Sequence, residues 1–151
     1  NKKIISKHVT STHSEEISEF QDYLCYENES ENLISSGRLW FGDRFMSNES
    51  KTFSFNLENI VAEHPVKINT AVAARSLVPS NLSIRVNNSV IENLSISNII
   101  STPSTEYAKL VTSESTFYSN SDNLNFDLSY FSIDNGAQMW LDYIEINAIR
   151  K

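Results

Sequence analysis

Apolar and polar residues alternate along most of this chain, and the longest alternating stretch comes near its end. In Met139-Trp140-Leu141-Asp142-Tyr143-Ile144-Glu145-Ile146-Asn147-Ala148-Ile149-Arg150, a period of two puts Trp140, Ile144, Ile146 and Ala148 on one face with Asp142 among them. Leu141, Tyr143, Glu145, Asn147 and Ile149 then fall on the other face. That spacing is strand periodicity, and the aromatic and β-branched content suits a half-buried pleated surface. The stretch is expected to be a long last strand with a partner on each side.

The rest of the chain supplies candidates for those partners. Leu124, Phe126, Leu128 and Tyr130 alternate with Asn125, Asp127 and Ser129, and Asp134-Asn135-Gly136 turns the chain into the last strand. Val66, Ile68, Thr70, Val72 and Ala74 share a face, with Lys67, Asn69 and the small Ala71 and Ala73 opposite. Leu82, Ile84 and Val86 lead to Asn87-Asn88, a tight hairpin turn, and the chain returns through Val90 and Ile91 towards Leu94 and Ile96. Phe53, Phe55 and Leu57 predict one further strand, and the stretch from Tyr107 to Ser113 another. Residues 20–26 fit either an extended segment or the end of a helix opened by Thr12-His13-Ser14-Glu15, and extended structure agrees better with the remainder. Short strands joined by Asn, Ser and Pro turns predict an all-β fold, an antiparallel β-sandwich of jelly-roll type. The sandwich is expected over residues 35–151, preceded by an extension or edge strands over residues 1–34.

At 151 residues the chain fits one domain able to bury roughly 68–70% of its unfolded surface. A net charge of −7 argues against nucleic acid as a partner, because the phosphate backbone would be repelled. No apolar run approaches the ~20 residues of a membrane span, so direct membrane insertion is not expected. Numbering opens on Asn1 and not on Met, which leads us to expect a piece of a longer protein.

Candidate chemistry is sparse. The single cysteine, Cys25, has no family spacing to His8, His13 or His64, and a small buried or half-buried side chain is its expected role. The histidines are too scattered for zinc. Asp122, Asn123, Asp134 and Asn135 are hard oxygen donors, but turns use such residues for backbone reasons. No cofactor is therefore expected, with a structural calcium as the lesser alternative. Asp142, placed by alternation beside Trp140 and Ile144, needs a partner if it is buried, and Arg38, Arg44 or Arg75 would serve. Two of only three glycines, Gly37 and Gly42, bracket Trp40 and Phe41, and together they predict a bend that tucks both aromatics into the core.

Ser36-Gly37-Arg38-Leu39-Trp40-Phe41-Gly42-Asp43-Arg44-Phe45, followed after a run of strands by Trp140-Leu141-Asp142-Tyr143-Ile144-Glu145-Ile146-Asn147 and a basic end, resembles the region upstream of the peptidase domain in PorU-type proteins. These are gingipain-like cysteine peptidases that act as sortases of the type IX secretion system in Bacteroidetes. The resemblance covers roughly residues 30–151. It implies a non-catalytic β-sandwich module of a parent enzyme at the outer-membrane surface, where cargo is processed and anchored. Its expected partners are the downstream peptidase domain, other secretion-system proteins, or cargo. Gly37, Arg38, Trp40, Phe41, Gly42, Asp43, Trp140 and Asp142 carry the motif as structural residues, and no catalytic residue is carried over. Two other classes stay open: a carbohydrate-binding jelly roll, favoured if Trp40, Trp140 or Tyr118 lies flat on an accessible concave face, and an adhesin or stalk segment.

Overall fold

The structure is a computed structural model, and it describes residues 18–33, 39–100 and 106–151. Among these residues the chain forms nine strands and no helix. In order they are β1 (Phe20–Glu27), β2 (Gly42–Met46), β3 (Glu49–Asn56), β4 (Val66–Arg75), β5 (Ser80–Val86), β6 (Ser89–Ile96), β7 (Lys109–Phe117), β8 (Asn123–Phe131) and β9 (Gln138–Arg150). All pair antiparallel, in two sheets packed as a sandwich. One sheet has the order β1-β9-β4-β7 with β2 also on β9, and the other has the order β3-β8-β5-β6. The expected all-β sandwich is what the chain forms.

The last strand is the axis of the larger sheet. Its 13 residues are long enough for β1 and β2 to lie end to end along one side, facing residues 143–150 and 138–141 respectively. On the other side, β4 pairs with residues 138–147. Residues 20–27 are therefore extended, which rules out the helical alternative for them; Thr12-His13-Ser14-Glu15 lies outside the described residues.

Alternation explains the core. Leu124, Phe126, Leu128 and Tyr130 of β8 and Leu82, Ile84 and Val86 of β5 face Val66, Ile68, Val72 and Ala74 of β4 and Met139, Leu141, Ile144, Ile146 and Ala148 of β9. Phe126 meets Phe55 and Phe117 edge-on, at centroid distances of 5.4 and 6.1 Å. Burial of each such large side chain contributes about 1.5–3 kcal/mol. Asn87 and Asn88 both have positive φ, 47° and 69°, the backbone that a two-residue hairpin turn requires. Along the β6–β7 side of the sandwich, the hydroxyls of Ser113 and Ser115 both donate to Glu92 Oε2.

Strict alternation fails at one point in β9. Ala71 pairs with Tyr143 and the next residue, Val72, with Leu141, so Asp142 is the extra residue of a β-bulge. The bulge reverses the phase of the strand. Met139 and Leu141 face the core before it, and Ile144, Ile146 and Ala148 face the core after it. Trp140 therefore does not share a face with Ile144, as a uniform period of two predicts, and lies on the outer side of the sheet with Phe41 and Ala73.

Two further expectations are corrected. Cys25 is exposed on β1, at the position paired with Glu145, and is not a packed side chain. Trp40 and Phe41 part company at the start of β2: Phe41 is 3% exposed, whereas Trp40 is 43% exposed. Neighbouring residues of an extended segment point to opposite sides, so one aromatic enters the protein and the other leaves it.

Candidate functional site

The outer face of the five-stranded sheet carries a second, smaller apolar cluster, and its cause is local. Ala71 and Ala73 point away from the core, and their short side chains leave space above the middle of the sheet. Phe41 fills part of it, packed with Ala73 and Trp140 and flanked by Leu33 and Ala108. The segment that delivers Phe41 is held by reciprocal backbone bonds. Phe41 N–H donates to Glu31 O at 2.8 Å, and Glu31 N–H donates to Phe41 O at 2.7 Å. That pairing brings the Glu31 carboxylate over the buried indole, and Trp140 Nε1–H donates to Glu31 Oε2 at 2.8 Å.

On the far side of the cluster Tyr107 stands 6.4 Å from Trp140, centroid to centroid. It is fixed by Arg75, whose guanidinium lies 4.5 Å from the ring centroid and donates to Tyr107 O at 2.7 Å. Such a stacked and bonded arginine is locked in place.

Between these walls runs a shallow trough made of two hollows that share Leu39, Phe41 and Leu110. One, of about 330 Å³, is completed by Leu33, Ala73, Tyr107 and Ala108, with Glu106 and Lys109 at its rim. The other, of about 150 Å³, runs over Ala71 to Thr112, Asp142 and Tyr143. Leu39 and Leu110 are 51% and 62% exposed, so the upper walls of the trough are apolar and open to solvent.

Electrostatics differ at its two ends. Around the larger hollow the cations are engaged: Lys109 pairs with Glu106, and Arg75 is held on Tyr107. At the other end, burial raises the Asp142 pKa above the usual carboxylate value, and the negative charges of Glu27 and Glu29 raise it further. Burial likewise raises the Tyr143 phenol, helped by the charge of Glu145. Next to it, Glu145 accepts from Tyr23 Oη at 2.9 Å and from Asn69 Nδ2 at 3.0 Å, which continues a polar surface across β1, β9 and β4.

The motif residues that are described do not form one site. Phe41 and Trp140 meet in the small cluster, and Asp142 lies beside it in the trough. Gly42 is a close-approach position, where an added Cβ would lie 2.3 Å from Asn28 O. Asp43, a bulged residue of β2 with φ 22°, accepts from Tyr26 Oη at 2.6 Å and raises that phenol to about 12. Gly37 and Arg38 lie outside the described residues, as do His8 and His13. Among the described residues neither Arg44 nor Arg75 pairs with Asp142. Alternation and spacing alone do not mark Glu31, Leu110 or Tyr107 as site residues. The paired small residues Ala71 and Ala73 were the signal for a hollow above the sheet.

The turn carboxylates considered for calcium serve the backbone. Asp134 accepts from the amides of Leu77 and Gly136, at 2.8 and 2.9 Å, and these bonds lower its pKa. Asp122 accepts from the Ile60 amide at 3.1 Å. Among the described residues no three His, Cys, Asp or Glu side chains gather into a metal-binding group.

No family model and no curated protein matches the chain. Among solved structures, it is similar to dimeric latent PorU from Porphyromonas gingivalis, with a TM-score of 0.72, 19% identity and 97% of this chain covered. The matched segment is 14% of the PorU chain. A family 35 carbohydrate-binding module from an environmental isolate is similar at a TM-score of 0.54 and 10% identity, covering 82% of this chain and 83% of that one. The module CBM36, solved with calcium and xylotriose, is similar at a TM-score of 0.51 and 11% identity, covering 83% of this chain and 98% of that one. At these identities the likeness establishes a shared β-sandwich fold.

Proposed function

We propose that the chain is a non-catalytic β-sandwich module of a larger PorU-like surface peptidase, where it serves as a scaffold or protein-interaction domain. The observation that carries this reading is the extent of the match: a segment of PorU superposes on nearly the whole chain, at a TM-score well above those of the carbohydrate-binding modules. In this reading the parent enzyme works at the cell surface, and the module packs beside its peptidase domain or meets exported cargo. The outer-face trough suits an interaction surface, because its upper walls, Leu39 and Leu110, are apolar and open to solvent.

Carbohydrate binding is the second reading, favoured by the likeness to two such modules over most of their own length. The aromatics weigh against it. Trp140 is buried and bonded to Glu31, the exposed Trp40 and Tyr118 do not line the trough, and Tyr107, which does line it, carries the Arg75 guanidinium over its ring. A sugar platform needs an accessible ring among several hydrogen-bonding groups.

The test is the reading frame around the chain combined with calorimetry against xylo-oligosaccharides, with and without calcium. A following domain with a His and Cys pair, and no heat of sugar binding, is the expected result. A stop codon directly after Lys151, or micromolar binding of a xylo-oligosaccharide, would reject the proposal.

A further inference from the structure

We infer that the outer-face trough is a docking site for an extended peptide segment of a partner protein, which lays an aliphatic side chain on Leu39, Phe41 and Leu110 and brings a Lys or Arg to Asp142. This deepens the reading of the chain as a protein-interaction module and names the chemistry of its partner. The apolar part follows from the lining. The two hollows share three large apolar side chains, two of them more than half exposed, above a floor of alanines. Covering such walls is favourable at roughly 25 cal/mol per Å².

The charge follows from Asp142. It sits on a bulge at the end of the trough, beside Tyr143, and the nearby charged groups that act on it are the carboxylates of Glu27 and Glu29. Among the described residues no lysine or arginine neutralises it, and the cations at the other end are committed to Glu106 and Tyr107. A cation from outside would meet an attractive field in a partly desolvated place, where a charge-assisted hydrogen bond is strongest. A long basic side chain can also cover apolar surface with its methylene stem.

Two other occupants fit less well. A sugar would find the Tyr107 ring already stacked by Arg75, and Lys109 already paired with Glu106. A second copy of this chain, docked face to face about a two-fold axis, would oppose like surfaces on a molecule of net charge −7.

The experiment is an amide chemical-shift titration of the chain with two blocked octapeptides, one alternating Leu with Lys and the other Leu with Glu. The Lys peptide is expected to move the amides of Ala71, Leu110, Thr112 and Tyr143 and to bind at least about tenfold more tightly than the Glu peptide. Asp142→Asn should weaken it about tenfold and abolish the preference between the two peptides. Leu110→Ser, at an exposed position, should weaken both peptides. Shifts confined to another surface, equal binding of the two peptides, an unaffected Asp142→Asn variant, or self-association through the same amides would each overturn the assignment. If the Lys peptide fails while the reading frame continues into a peptidase, only the docking site is lost. The converse result removes the parent assignment and leaves the trough standing.

Discussion

Trp140 and Glu31, 109 residues apart, are joined by a 2.8 Å hydrogen bond from the indole Nε1–H to Glu31 Oε2. Trp140 is 2% exposed, so this N–H has no ready access to water, and the carboxylate satisfies it. Glu31→Ala should strand the donor and destabilise the fold by about 1–3 kcal/mol, whereas Trp140→Phe in the same background should add less than it does alone. Urea unfolding of the four proteins in the cycle measures the coupling. Additive losses would mean that the bond contributes nothing.

Gly42 stands where the chain leaving β1 passes over the start of β2. An added Cβ would fall 2.3 Å from Asn28 O and 2.6 Å from Asn28 Cβ, and one of those neighbours is backbone. Gly42→Ala should therefore cost about 1–3 kcal/mol, the range for overpacking a tight contact. A thermal melt superimposable on that of the parent chain would contradict the close approach.

Acid sensitivity follows from Asp22, whose pKa is lowered from 3.8 by its hydrogen bonds with Arg150 and with the Tyr23 amide. A carboxylate with a lowered folded pKa contributes stability that is fully present above 3.8 and is lost as the pH falls through the folded value. Asp22→Asn should be less stable than the parent near neutral pH, by no more than about 1 kcal/mol for so solvated a pair. The difference should close once the pH is below the folded value. A deficit that persists there would assign the effect to packing.

Asp142 has the opposite sign. Its folded pKa is raised above 3.8, so its ionisation opposes folding, and the penalty grows as the pH rises through the folded value. Asp142→Asn should raise the melting temperature by about 1–3 °C near neutral pH and leave it unchanged well below 3.8. A loss of stability at neutral pH would mean that the carboxylate holds the bulge together.

Much of this architecture was legible in the alternation of residues. In β8, Leu124, Phe126, Leu128 and Tyr130 point inward as their spacing requires, and the positive φ of Asn87 and Asn88 fits residues that tolerate it. Both halves of β9 were legible too, but their relative phase was not. A single bulged residue turns Trp140 outward without disturbing the apolar pattern on either side. The site suffered from the same blindness. Glu31 lies in a polar stretch with every mark of a turn, and only the bridge to Phe41 carries it to the indole. Trp40 and Phe41 are chemically alike, and which of them faces inward depends on strand register, a long-range property.

The register of β1 on β9 pairs Phe20 with Arg150 and Glu27 with Tyr143, so the described chain enters β1 and leaves β9 side by side. Tension applied through these two ends would peel the strands apart from Phe20 onward, loading one rung of the ladder at a time. Sliding them past one another would load every rung together. The join is accordingly a mechanically soft seam on the β1 side, whereas on its other side the end of β9 is held by the Ile60 bridge and by the backbone bonds of Asn59 and Val61.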